Sequence, residues 1–370
     1  MLGPDRAILV FAGLRDGPEL LLEPEPAALT VITASEERRY PLARLDEEPD
    51  LASSVALFVD ALRRRRGEDA SEARRWHRDL GLDPALRDLP SAVNRLVLVT
   101  EDGPLSGLPF SRLLDDSGEP LAARYALSAA PSTAAWLRLM TEGASTRPGA
   151  VLAVVDAPAP ALDAALNAEA EAVRRRFAGR IVRGDDAKPS ALRELALERF
   201  TAVHLGSAQG PGFGAGLEGL DLSGMLVVRP ARDGAPVSPK AVAEPFLRAG
   251  AAAVVVGRWP MAPDEAPRFY GDLYAGLAAG QDVERSLQSA QQKSRRRGDA
   301  AAVWASVVAV GRGGAVFEPL LPPLERWLLR ILSGLVVAAM AVAGLAFWAT
   351  ALQGRMTLHN PWRPKRPRRR

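Results

Sequence analysis

The sequence predicts an α/β fold, a mostly parallel sheet flanked by helices on both faces, with one C-terminal transmembrane helix after it. Three observations carry this. Short, near-continuous apolar runs such as AVLAVVD (150–156) suit strands covered on both faces. Between them stand stretches with helical apolar spacing, and strands alternating with helices imply a parallel sheet. Near the end, 22 residues pass without a charge, from Ile331 to Leu352.

The elements follow in order. AILVFAGL (7–14) reads as a first strand; bracketed by Arg6 and Arg15-Asp16, it is too short for a signal peptide and has no cleavage region. ALTVITA (28–34) is a second strand, and SVALFVDALRRRR (54–66) and EARRWHRDLG (72–81) are helical, the latter stopping at Gly81. RLVLV (95–99) is a strand and EDGP (101–104) a turn. After the strand 150–156 come a helix at 166–177, the strand RIVRG (180–184), a helix at 190–200 and the strand TAVHLG (201–206). AGAAAVVVGRWPM (249–261) is another buried strand, followed by helices containing FYGDLYAGL (269–277) and SLQSAQQ (286–292). Asp264 reads as a helix N-cap after WPMAP, and Asp185-Asp186 as a turn leading into a helix.

A chain of 370 residues, 48% hydrophobic and 25% charged, can bury a sizeable core. With no cysteine there are no disulfides, no thiolate metal sites and no thiol catalysis. His77, His204 and His359 lie far apart, so a histidine-rich metal site is not expected. The net charge of +3 hides an asymmetry: residues 353–370 hold seven Lys or Arg and no acid, leaving −4 on residues 1–352. The basic character belongs to a tail, and no nucleic-acid partner is expected. Arg63 to Arg66 and Arg295 to Arg297 read as helix ends. GPGFGAGLEG (210–219) lacks the lysine and hydroxyl of a phosphate-binding loop and reads as a rim loop. No cofactor is called for. Glu169 and Glu171, two apart on a helix, do not face each other.

Several of these stretches, LVLVTEDGPLSGLPFSRLL (96–114), ARYALSAAPSTAAW (123–136), TAVHLGSAQG (201–210), AGAAAVVVGRWPM and VWASVVAVG (303–311), together resemble the CHAT family of the caspase-like peptidase clan. The resemblance implies a caspase-like sheet and a cysteine–histidine dyad. Neither member of that dyad is here. At the position matching the base histidine stands Ala208, or Gln209 if one residue is inserted. His204 matches a different, usually buried, histidine and reads as a satisfied core residue. For the nucleophile strand two alignments stand. In one, MLVVRPARDG (225–234) is that strand and Arg232 takes the thiol's place; in the other, which we prefer from the spacing, the strand is largely deleted. Ser207, three after His204 on an extended strand, points to the opposite face. By resemblance, His204, Ser207, Gln209, Arg258 and Trp259 are expected at the rim of a surviving cleft.

The expected domains are N-terminal strands and helices (1–93), a CHAT-like core (94–317), a proline-bearing connector (318–330), the transmembrane helix (331–352) and a basic tail (353–370). At 1.5 Å per residue the helix spans about 33 Å, enough for a hydrocarbon core of about 30 Å. Trp327 and Trp348 lie near its ends, with Arg330 and Arg355 flanking it. The expected function is a membrane-anchored pseudo-peptidase that binds a protein or peptide. The alternatives are an active hydrolase using non-standard residues, and a scaffold whose anchor forms a homo-oligomer through Gly334-x-x-x-Ala338 or Ala339-x-x-x-Ala343. The tail charge favours a cytoplasmic tail, but no export signal precedes the large domain, so the domain is expected in the cytoplasm.

Overall fold

Strands β1 (Arg6–Ala12), β4 (Arg95–Val99), β6 (Ala150–Val155), β8 (Phe200–Leu205) and β10 (Ala253–Gly257) form where the apolar runs predict them. A computed structural model describes residues 2–14, 26–46, 50–65, 70–100, 103–142, 146, 148–155, 160–195, 197–206, 220–231, 237–318, 331, 335–336 and 338–344. With β2 (Ala28–Ile32), β3 (Glu37–Pro41), β5 (Ala126–Ala130), β7 (Gly179–Arg183), β9 (Leu226–Arg229) and β11 (Val307–Gly311), these make an 11-stranded sheet among the described residues. Its order is β3-β2-β1-β4-β5-β11-β10-β9-β8-β6-β7. Only β1–β2, β2–β3 and β10–β11 are antiparallel. That last pair divides the parallel strands into two sets that run in opposite directions, one carrying β1, β4, β5 and β11 and the other β6 to β10.

Period-2 alternation sends each strand's side chains to two cores. Leu96 and Leu98 of β4 and Ala253 and Val255 of β10 join the larger one, while Val254 and Val256 join a second. Against the first face lie the helices Leu51–Arg63, Ala70–Asp79, Glu265–Ala278 and Val283–Arg296, through side chains such as Phe58, Trp76, Tyr274 and Leu287. The second face is covered by the helix Pro239–Arg248 through Ala243 and Phe246. Helix Thr133–Glu142 packs Trp136 on Val97 and Val99. One charged cluster pins β1, β4 and β5 to the helix Val283–Arg296. Glu284, 1% exposed, accepts from Arg6 (2.9 Å), Arg95 (3.1 Å) and the Ser128 hydroxyl (2.6 Å). Arg95 also donates to Asp282 at 2.6 Å. Burial alone would lower the Arg95 pKa, but these two carboxylates raise it above its ordinary value.

Some elements differ from expectation. The predicted helix 190–200 is a single short helix, Pro189–Arg193, then a 3-10 turn, Leu197–Arg199, that enters β8 at Phe200. Leu192, Leu197 and Phe200 are all buried in one core, and a step of five residues does not keep side chains on one helical face. Asp264 precedes the helix Glu265–Ala278 but does not cap it, because its carboxylate takes the Arg268 guanidinium at 3.0 Å. Glu265 instead accepts the Ala262 N–H at 3.0 Å. β3, ERRYP, is largely exposed; its charges suit an edge strand and hide it from an apolar search.

The chain divides into two compact units, Met1–Leu320 and Leu321–Arg370. In the second, residues 331, 335–336 and 338–344 are helical, with Leu335 61%, Met340 62% and Val342 67% exposed. Among the described residues no helix is long and apolar enough to cross a membrane. The rest of the expected span lies outside the described residues.

Candidate functional site

β8, β9 and β10 are parallel neighbours, so their C-terminal ends lie side by side on one edge of the sheet. Gly257 ends β10 where the chain after β9 crosses closely; a Cβ there would meet the Ala231 nitrogen and stand 3.2 Å from Pro230 atoms. Glycine is required for that approach. A strand, β9, fills the place between β8 and β10. The positions matching the family dyad, Ala208, Gln209 and Arg232, fall outside the described residues, as does Ser207.

His204 is not at a rim. It is 1% exposed, on the β8 face that packs against the helix Glu265–Ala278, because the two-residue period turns it inward with Ala202. Its Nε2 lies 2.6 Å from Oε1 of Glu169, itself 1% exposed on the helix Pro160–Arg174, and its Nδ1 3.2 Å from the Tyr274 hydroxyl. Burial first, then the Glu169 charge and Tyr270, raise the Tyr274 pKa well above its ordinary value. The phenol therefore keeps its proton. Tyr274 O–H donating to Nδ1 and Nε2–H donating to Glu169 satisfy all three groups with one assigned tautomer. Sequence reading kept Glu169 apart from His204; a carboxylate on the apolar side of its helix was the available signal.

Trp259 is likewise interior, 2% exposed, with Nε1–H donating to the Ala302 carbonyl at 2.7 Å. A rim position would leave that large ring wet, whereas the core holds it. Arg258 is different. Its side chain is 6% exposed, and Nη1 donates to the carbonyls of Ser106 (3.3 Å) and Gly107 (3.0 Å). No carboxylate of the described residues pairs with it. Burial alone lowers its pKa to about 10, which leaves it protonated at neutral pH.

Arg258 lines a cavity of about 40 Å³, room for two or three waters at roughly 10–15 Å³ each, or for one carboxylate group. It opens at the seam of the sheet. β5 and β11 pair only through Ala309 with Ser128 and Val310 with Ala129, so Val307 and Val308 part from β5 and, with Leu127, wall the gap. Thr100, Ser106, Ser111, Gln291 and Lys240 of the helix Pro239–Arg248 add polar groups to the lining. Among the described residues no three His, Asp or Glu side chains stand close enough to hold a metal ion.

A mostly parallel 11-stranded sheet with cores on both faces defines an α/β module. Residues 72–211 and 231–312, more than half of the chain, match the CHAT domain family model; the chain belongs to the CHAT domain family. The match leaves out 212–230, the stretch that contains β9. Among solved structures, the chain is similar to Saccharomyces cerevisiae separase in its complex with securin (11% identity, TM-score 0.45), over 66% of this chain and 17% of that one. It is also similar to the complex of the pro- and mature domains of Porphyromonas gingivalis RgpB (10% identity, TM-score 0.45), over 71% of this chain and 73% of that one. No curated protein matches.

Proposed function

We propose that this CHAT domain is a pseudo-peptidase, a module that binds a protein or peptide partner without cutting it, held on a membrane by residues 331–352. The carrying observation is chemical. A peptidase of this clan attacks with a thiolate, and the chain has no cysteine. Family membership, by the match over 72–211 and 231–312, supports a peptidase-related module. The one-histidine pair in the described sheet is consumed structurally: both ring nitrogens of His204 have buried partners, which leaves that imidazole no lone pair to activate a nucleophile. The C-terminal ends of the parallel strands β8, β9 and β10 are where a peptide would lie. The 22 uncharged residues with flanking Trp and Arg support the anchor.

The test incubates the purified full-length chain, in detergent, with a mixed-sequence peptide library and follows new termini by mass spectrometry. The reading expects no new termini. Turnover that disappears in a Ser207→Ala variant would instead establish a hydrolase with non-standard residues.

A further inference from the structure

We propose that the N-terminal ends of β6, β7 and β8 form a surface that docks on anionic lipid through Arg175, Arg176, Arg180 and Arg199; this rests on the reading that residues 331–352 anchor the chain. Strand pairing builds the surface. β6 stands between β8 and β7, with Ala150 opposite Phe200 and Val151 opposite Gly179. Gly149 lies so close to the entry of β8 that a Cβ there would stand 3.0 Å from the Arg199 carbonyl oxygen. Arg199 and Arg180 therefore flank the start of β6 on its two sides, and the helix Pro160–Arg174 ends just ahead of β7. The sequence from helix to strand, RRRFAGR (174–180), holds four arginines and no acid. All of them, and Arg199, are exposed. Arg174 pairs with Glu171 at 2.8 Å, and one such cation in the last turn answers the partial negative charge of a helix end. Arg175, Arg176, Arg180 and Arg199 go beyond that need. Glu198 and Glu318, both exposed, stand at the same end.

Two further observations select a lipid surface as the occupant. The first is where the α/β unit ends. The Gly149 N–H donates to the Glu318 carbonyl at 3.1 Å, and the Thr146 hydroxyl to the Val316 carbonyl at 2.5 Å. The unit Met1–Leu320 thus comes to its last residues at this end of the sheet. Residues 319–330 can span at most about 43 Å before the uncharged run begins. A surface tethered this closely meets the bilayer intramolecularly, so a modest attraction per residue suffices. Each Lys or Arg near an anionic leaflet changes partitioning by about fivefold. The second observation is a reversal of charge along β7. From Arg180 the strand runs to the turn Gly184–Ala187, whose Asp185 and Asp186 are exposed. At that far end Lys188 pairs with Asp185 at 2.5 Å, and Arg183 donates to Asn167 at 2.8 Å. An anionic plane attracts the first end of this strand and repels the second, which sets an orientation. β8, β9 and β10 run parallel to β6 and β7. Docking therefore turns their C-terminal ends, where the peptide would lie, away from the lipid.

The test places the full-length chain in vesicles of phosphatidylcholine alone, or with phosphatidylserine as about one third of the lipid, both containing nitroxide-headgroup lipid. Because the chain has no cysteine, Glu198→Cys and Asp186→Cys each take a single fluorophore, one at the docking end and one at the far end. Flotation reports attachment, and quenching reports approach to the headgroups. Quenching of Glu198→Cys is expected to rise with phosphatidylserine, while that of Asp186→Cys stays low. Adding Arg175→Gln, Arg176→Gln and Arg180→Gln should lower the docked-to-undocked ratio by about tenfold or more, and high salt should act in the same direction. Suppose the chain floats with both lipids. Quenching of Glu198→Cys that ignores lipid charge or the three arginines, or stronger quenching of Asp186→Cys, then overturns the surface and leaves the anchor standing. Flotation with phosphatidylserine alone, lost in the three-arginine variant, keeps the surface and refutes the anchor. If that variant floats like the parent, the basic tail makes the attachment and both readings fall, as they do if neither lipid carries the chain. A Glu198→Cys fluorophore that responds to poly-glutamate and not to phosphatidylserine would give the surface to an acidic protein and overturn it for lipid.

Discussion

At the scale of single residues, the charges that matter are the buried ones. Glu169 and His204 are each 1% exposed and 2.6 Å apart. Replacing His204 by Ala would remove a hydrogen bond from a buried carboxylate, a loss that costs about 1–3 kcal/mol. Urea unfolding of His204→Ala is expected to show a loss of that order, with the double variant Glu169→Gln/His204→Ala recovering part of it. His77 makes a separate, pH-dependent case. It is 3% exposed, and its Nδ1 lies 3.1 Å from Asp83 without the alignment of a hydrogen bond. Burial lowers its pKa below the ordinary value, against the opposing pull of Asp83, Asp115 and Asp116. A folded state that prefers the neutral ring holds this stability above the unfolded value of about 6.5 and loses it as pH falls through that value. Unfolding midpoints should therefore drop between pH 8 and pH 5.5, and His77→Gln should flatten the drop. An unchanged slope in that variant would place the titration elsewhere. None of these partnerships was legible in the sequence, because each joins residues through the fold: Glu169 to His204, or Arg95 to Glu284.

Among the elements, much was legible for a physical reason. A strand covered on both faces must be apolar throughout, so RLVLV, AVLAVV and AVVVG announce β4, β6 and β10. Helix Ala70–Asp79 stops short of Gly81, whose φ of +63° suits glycine. What escaped was set by context. β3 is polar because it is an edge, and the 190–200 stretch has helical composition but is drawn into β8 by the burial of Phe200. Arg258 was marked as a rim residue; a charge wedged between AVVVG and Trp-Pro was the clue to its burial. The seam between β9 and β10 offers a direct test. Gly257→Ala puts a methyl group against Pro230 and Ala231, and overpacking of this kind costs about 1–3 kcal/mol. Calorimetry should show the corresponding fall in unfolding temperature; a variant as stable as the parent would mean that the loop gives way.

At the scale of the whole molecule, the division into Met1–Leu320 and Leu321–Arg370 follows the change in the sequence after Phe317. The α/β unit carries its own cores on both faces of one sheet, while the uncharged run lies in the second unit. If that run anchors the chain, residues 1–317 should stay in the supernatant after high-speed centrifugation without detergent and the full chain should not. Full-length chain in a detergent-free supernatant would remove the anchor from the account. The central claim is that this CHAT domain binds without cutting. The most direct measurement is photo-crosslinking of a peptide library to the full chain in lipid vesicles, followed by mass analysis of the captured peptides. The account predicts captured peptides of full length; captured fragments ending at one consistent cleavage position would contradict it.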